Sequence, residues 1–308
     1  MSQEPTAVLL DVDTGIDDAI AIALALRSPR LQVVGITTVA GNVTVDRTTD
    51  NTLRVLSWLG EDGVPVARGM AGPLVRPLRD AAVVHAESGL GRFAPPPSGA
   101  VARGETAPEF MLRTVREHAP DLTLVCTGPL TNLAVALRLE PDLPRLVRRL
   151  VIMGGAFTVP GNVTPAAEFN IHVDPEAAAV VARSELDATW IGLDVTHQVA
   201  LSPEEWRGLE SATEPEAKLV YDACRYSFAD RGARRFPLHD PLAVAVAAQP
   251  DLVTTVDVGV RVDTGLWGTA GETRMVRDDA GPTQKVALEV DGERFFAMFR
   301  GALGLPAY

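Results

Sequence analysis

Apolar positions fall into two patterns along this chain: short, nearly continuous runs rich in Val, Ile and Leu, and longer stretches with apolar residues at helical spacing. Residues 8–26, VLLDVDTGIDDAIAIALAL, carry both. A run of strand length ends at Asp11-Val12-Asp13, a Thr-Gly turn follows, and Asp17-Asp18 opens an Ala- and Leu-rich helix. Residues 31–40 read as a buried strand ending in Gly41-Asn42, 43–59 as an amphipathic helix and 64–67 as a third strand. Residues 70–99 lack periodicity and enclose His85-Ala86-Glu87-Ser88-Gly89-Leu90-Gly91, and a long irregular segment in a compact domain is often functional. A helix at 105–118, a strand at 122–126 and a turn into a helix at Thr127-Gly128-Pro129-Leu130-Thr131-Asn132 follow. A strand at 150–153 leads through Gly154-Gly155 to a polar loop at 161–173 and a helix opened by Asp174-Pro175-Glu176. Beyond it the pattern predicts a strand at 188–193, helix over most of 202–230 with a break near Glu214-Pro215, and a basic loop at 231–237. His239-Asp240-Pro241 then starts a strongly apolar helix, and strands at 253–262 and 285–290 precede a last helix at 292–303.

Strands alternating with helices, without repeat, linker or break in composition, predict one α/β domain spanning 1–308. Its central sheet is expected to be largely parallel and flanked by helices, a Rossmann-like open sheet. With 46% apolar and 22% charged residues among 308, the chain has globular composition and no run long enough to span a bilayer. The N-terminal sequence shows no basic region followed by an apolar core, so the expectation is a soluble, cytoplasmic protein. Cys126 and Cys224 are too few for a disulfide framework and lack zinc-ligand spacing. A net charge of −12 disfavours nucleic acid and membrane as partners and points to small-molecule chemistry.

The candidate chemistry gathers where predicted strands end, which is where open parallel sheets bind ligands. Asp11 and Asp13 share one face of the first strand, and Asp17 and Asp18 fall in the first turn of the helix. Four carboxylates so close stay ionised only when a cation or several hydrogen-bond donors compensate them, and no Lys or Arg lies within residues 1–26. An all-oxygen cluster suits a hard divalent cation such as Ca²⁺ or Mg²⁺. An acidic loop capping a helix accounts for one or two of these aspartates, not four. An Asp-x-Asp after a strand also occurs in haloacid-dehalogenase-like phosphatases, but the Thr expected two places after the second Asp is Gly15 here. Asn42, Thr127, Asn162, Glu168, Asn170, His239 and Asp240 also stand at strand ends or helix starts. Singly, each has a plain explanation as turn former, loop stabiliser or N-cap; their shared position is the signal.

Taken together, these residues resemble the nucleoside hydrolases, the inosine-uridine-preferring nucleoside N-ribohydrolases. The family's Asp-x-Asp-Pro-Gly-x-Asp-Asp appears as DVDTGIDD, its Gly-Asn as Gly41-Asn42 and its His-Gly-x-x-Gly-Leu-Gly as HAESGLG. Gly-Pro-Leu-Thr-Asn is unchanged, and Met-Gly-Gly, Gly-Asn with Ala-Glu-Phe-Asn, and the late His-Asp-Pro also match. The resemblance implies Ca²⁺ bound by Asp11, Asp18, Asp240 and the Thr127 carbonyl, with Asp13 as general base. It implies ribose held by Asp17, Asn42, Asn162, Glu168 and Asn170, with Met153 beneath the sugar. His239 would protonate the leaving base, an imidazole being able to titrate near neutral pH, with His85 the second candidate. Phe93, Tyr221, Tyr226, Phe228 and Trp267 are candidate base contacts, and a homodimer or homotetramer is the expected assembly. Thr14 in place of Pro, and Ala86 in place of Gly, depart from the pattern. A hydrolase of a modified nucleoside or another ribosyl metabolite, and a silent Ca²⁺-dependent nucleoside-binding protein, stay open as alternatives.

Overall fold

The first apolar run forms β1 (Thr6–Val12), whose last five residues are buried, as expected of a strand covered on both faces. The computed structural model describes residues 4–265, 268–277 and 281–306. Within it β2 (Leu31–Thr38), β3 (Val66–Arg68), β4 (Thr123–Cys126), β5 (Arg149–Met153) and β6 (Ala188–Ile191) follow in turn. A two-stranded piece comes next, β7 (Ala200–Leu201) with β8 (Phe236–Pro237), then β9 (Val253–Val262), β10 (Thr273–Val276) and β11 (Gln284–Val290). The main sheet runs β10-β9-β11-β6-β5-β4-β1-β2-β3. Pairing is parallel from β3 through β11, while β9 and β10 add an antiparallel edge. The α/β domain with a largely parallel sheet is therefore present.

Topology makes the crevice. From β1 the chain lays β2 and β3 on one side and β4, β5 and β6 on the other, so the carboxyl ends of β1 and β4 diverge at a switch point. Asp11 pairs there with Thr37 on one side and Cys126 on the other. The carbonyl of Asp11 accepts from Thr127 N–H at 2.8 Å, which starts the turn after β4 directly against the end of β1.

Two helices apolar nearly all round, Ile16–Arg27 and His239–Ala248, pack on each other. A helix without a polar face has to be enclosed by other elements. Their packing brings the N-terminal turns together, and with them Asp17, Asp18 and Asp240.

Several local readings change, among them the helix Phe169–Val173 at the end of the predicted polar loop 161–173 and β8 at the end of the predicted loop 231–237. Leu193, predicted to end a strand, instead starts the short helix Leu193–Thr196 after Gly192. The predicted helical region 202–230 divides into Pro203–Arg207 and Pro215–Arg225, the latter continuing as a π-helical turn, Tyr226–Asp230. β10 has no counterpart in the predicted pattern, because its four residues, TRMV, are too short and polar to alternate visibly. Among the described residues no helix is long and apolar enough to cross a membrane.

Candidate active site

β1 delivers Asp11 to the crevice, the turn after it Asp13, and the first turn of the Ile16–Arg27 helix Asp17 and Asp18. Asp18 closes its own helix start, its Oδ2 accepting Gly15 N–H at 2.9 Å and its Oδ1 accepting from Thr127 Oγ1 at 2.9 Å. Asn42 adds its Nδ2 to Asp18 Oδ2 at 3.1 Å and its backbone N–H to Asp13 Oδ2 at 2.7 Å. Gly41 is required here, because a Cβ would stand 2.1 Å from Asp13 Oδ2. Asp13 Oδ1, by contrast, is buried with no hydrogen-bond partner.

Asp17, Asp18 and Asp240 each bring a carboxylate oxygen within 4.8 Å of the others. Asp11 lies outside this trio. Its Oδ1 is taken by Thr37 Oγ1 at 2.7 Å and Asn132 Nδ2 at 2.8 Å, while its Oδ2 is buried and unpaired. Burial pushes every carboxyl of the cluster upward, Asp11 to about 6 and Asp17 to about 7, and mutual repulsion adds to the rise at Asp13, Asp17 and Asp240. Such groups must hold protons or meet a cation. The trio fits a hard divalent ion on two observations: its donors are all carboxylate oxygens close together, and two further carboxylate oxygens beside it, Asp11 Oδ2 and Asp13 Oδ1, are buried without a partner, so the surroundings carry uncompensated negative charge.

Above the cluster lies a cavity of about 240 Å³. Asp17, Asn42, Thr127 and Asp240 form its acidic end. Met153, Asn162, Glu168 and Asn170 line it from β5 and the loop that follows. Glu168 caps the Phe169–Val173 helix, accepting from Asn170 N–H at 2.9 Å, Gly155 N–H at 3.1 Å and Ile171 N–H at 3.2 Å. Burial still lifts its carboxyl to about 7. Asn170 Nδ2 donates to the Thr127 carbonyl at 2.6 Å and to that of Met153 at 3.1 Å, tying the turns after β4 and β5 together. Asn162 supports the same helix start, its Oδ1 accepting Phe169 N–H at 2.9 Å.

Two histidines also line the cavity. His85 Nδ1 accepts the Ile16 backbone N–H at 3.0 Å, so its proton resides on Nε2. Gly15 permits this approach, since a Cβ there would meet His85 Nδ1 at 2.4 Å. Burial, aided by Arg231, lowers His85 to about 4. Burial lowers His239 to about 3, with His197 and His85 adding to the shift. Both shifts favour the neutral ring over the imidazolium.

Ala81, Val84 and Val163, which no spacing in the sequence singled out, complete the cavity wall with Phe169 of the Ala-Glu-Phe-Asn match. The aromatic candidates are engaged elsewhere. Tyr221 and Phe228 stack on Trp206 at 5.2 Å each, and Phe93 meets Trp58 edge-on at 5.4 Å. None of these three, nor Tyr226, lines the cavity, and Trp267 lies outside the described residues. The two departures from the motif have clear local settings. Thr14 pairs its hydroxyl with Thr52 Oγ1 at 2.6 Å, and Ala86 holds a φ of 63° and a ψ of 169°.

The chain is similar to proteins of known activity. A family model described as inosine-uridine preferring nucleoside hydrolase matches residues 8–297. Two relatives named pyrimidine-specific ribonucleoside hydrolase RihA are similar in sequence. That from Citrobacter koseri is 44% identical over 271 residues, covering 86% of each chain. That from Shigella boydii is 42% identical over 296 residues, covering 94% of this chain and 95% of the relative. Among solved structures, a plant nucleoside hydrolase matches with a TM-score of 0.92 and 36% identity, covering 98% of this chain and 100% of that one. A purine-preferring ribonucleoside hydrolase from Gardnerella vaginalis matches with a TM-score of 0.90 and 35% identity, covering 96% of this chain and 98% of that one. The chain therefore belongs to the inosine-uridine preferring nucleoside hydrolases, enzymes that split ribonucleosides into ribose and free base.

Proposed function

We propose that this chain is a Ca²⁺-dependent hydrolase of pyrimidine ribonucleosides. The observation that carries the reading is one small cavity joining an all-oxygen acidic cluster, a ring of carboxylates and amides, and two neutral histidines. Asp17, Asp18, Asp240 and the Thr127 carbonyl would hold the ion, and Asp11 would brace the β1–β4 crevice from its bonds to Thr37 and Asn132. Bound there, Ca²⁺ would supply positive charge that keeps the carboxylates ionised and orients water and the sugar hydroxyls.

Asp13 is the general base. Its Oδ2 is fixed by Asn42 and its Oδ1 is free to take a proton from the water that attacks the anomeric carbon. Asp17, Asn42, Asn162, Glu168 and Asn170 hold the ribose hydroxyls, and Met153 packs against the sugar. Positive charge grows on the ribose as the bond to the base breaks, so fixed carboxylates favour that state over the neutral substrate. His239 and His85 present N–H donors to the charge gathering on the leaving base.

Pyrimidine preference rests on the two relatives named pyrimidine-specific and on the base end of the cavity. At about 240 Å³ the cavity is smaller than the roughly 300–1,000 Å³ usual for drug-sized ligands, and its outer wall is aliphatic, from Ala81, Val84 and Val163. The test is ribose release from uridine, cytidine, inosine and adenosine, after chelation and again with Ca²⁺ restored. Uridine or cytidine should exceed both purines in kcat/KM by about 10-fold or more, the discrimination that pocket shape alone provides. Equal rates on inosine would overturn the pyrimidine assignment, and full activity after exhaustive chelation would overturn the cation.

A further inference from the structure

Thr196 ends the short helix Leu193–Thr196 after β6, and its side chain is completely buried. Its Oγ1 lies 2.7 Å from Nδ1 of His239, and among the described residues it has no other hydrogen-bond partner. Nothing in the DVTHQ sequence around it marks it as part of the site.

A hydroxyl has one proton to give and two lone pairs. Were Nδ1 of His239 protonated, the Thr196 oxygen would accept that proton and its own hydrogen would point at nothing inside a buried helix end. With Nδ1 unprotonated, the hydroxyl donates to it and every group is satisfied. The ring proton then sits on Nε2, the nitrogen left for the cavity that His239 lines. We propose that Thr196 is a positioning residue for cleavage: by donating to Nδ1 it fixes His239 in the Nε2–H tautomer and aims that N–H at the departing base.

The choice of a hydroxyl has a reason. A carboxylate partner would favour an imidazolium, whereas a hydroxyl holds the ring without changing its charge. Asp194, two residues before Thr196, has both oxygens engaged by Phe157 and Thr158 and does not compete for the ring. The arrangement repeats at His85, whose Nδ1 is filled by the Ile16 backbone N–H. Two unrelated donors thus impose the same tautomer on both histidines of the cavity.

The reaction balances without further reactants. The C1′–N electron pair stays on the base, where the Nε2–H of His239 hydrogen-bonds the developing charge. The water oxygen, with one hydrogen, joins C1′. Its other proton, taken first by Asp13, ends on the base.

The inference rests on the hydrolase reading above, and the experiment separates the two. Wild type, Thr196→Val, Thr196→Ser and His239→Ala are compared on uridine and on p-nitrophenyl β-D-riboside, whose phenolate departs without a donor. Thr196→Val should lose about 30-fold in kcat on uridine with KM nearly unchanged, less than the roughly 100- to 10,000-fold of removing an acid–base group outright because the ring itself stays in place, and less than about threefold on the phenyl riboside. Thr196→Ser should recover most of the loss. Equal losses on both substrates, or none on uridine, would overturn the proposal. Selective loss in His239→Ala without it in Thr196→Val would overturn Thr196 alone, whereas no selective loss in His239→Ala would remove His239 from the reaction as well. Nitrogen-15 spectra of histidine-labelled protein decide the tautomer even if no substrate is cleaved. His239 should show an unprotonated Nδ1 in wild type and a mixed tautomer in Thr196→Val, and a protonated Nδ1 in wild type would overturn the assignment.

Discussion

The backbone N–H of Asn42 meets Oδ2 of Asp13 at 2.7 Å, while Oδ1 of the same carboxylate is buried and bonded to nothing. One oxygen is thus anchored and the other is left without a partner, as the proposed general base requires. Asp13→Asn retains the shape and the anchor but cannot accept a proton. Ribose release should fall at least about 1,000-fold, within the span of general-base effects, while the melting temperature of cation-free protein stays equal or rises because a repelling charge is gone. Steady-state rates and calorimetry on the same preparations check both halves, and residual activity above a tenth of wild type would exclude Asp13 as the base.

The acidic cluster makes stability depend on pH in a direction that can be worked out. Asp17 and Glu168 titrate at about 7 in the fold, and burial with mutual repulsion holds Asp13 and Asp240 well above their usual range. Unfolded carboxyls titrate near about 4, so above that value the native state binds more protons and stability falls as pH rises. The buried histidines act oppositely, but only below about 6.5, the unfolded histidine value. Between pH 6.5 and 8 the carboxyls decide. Cation-free protein should melt at progressively lower temperature across that window, and added Ca²⁺ should raise the melting temperature more at pH 8 than at 6.5. A flat profile would mean that the cluster is compensated within the chain.

Ala86 occupies φ 63° and ψ 169°, a region that glycine enters freely and alanine does not. Ala86→Gly should stabilise the fold by about 1 kcal/mol, the relief of strain less the extra freedom of the unfolded chain. Urea unfolding measures this as a higher midpoint with unchanged slope. A lower midpoint would show that the alanine methyl contributes more by packing than the backbone loses.

Gly15 lies between two site residues. A methyl there would stand 2.4 Å from His85 Nδ1 and 2.6 Å from Asn42 Nδ2, so Gly15→Ala must displace both side chains. Activity should drop by about 10- to 100-fold, as small displacements in a site do, with far-ultraviolet circular dichroism unchanged. Activity within threefold of wild type would mean that neither side chain needs its present place.

Much of this architecture was legible along the chain because its signals are local. The alternation of β1 with the Ile16–Arg27 helix, and the apolar character of His239–Ala248, follow from spacing and burial that neighbouring residues impose on each other. The acid-rich turn after β1 announced itself through four charges without a counter-charge nearby. The nucleoside hydrolase family was readable for the same reason, its motifs each lying within a few consecutive residues.

Relations between distant residues were decided only by the tertiary structure. Whether Asp11 or Asp17 joins Asp18 and Asp240 depends on how two helix starts pack across more than 200 residues of sequence, which no local pattern encodes. Burial in the cavity wall lowers the pKa of His239, and Tyr221, Phe228 and Phe93 pack against other rings. Thr196 shows the limit most plainly. In sequence it is one threonine among many; only the fold places its hydroxyl 2.7 Å from Nδ1 of His239.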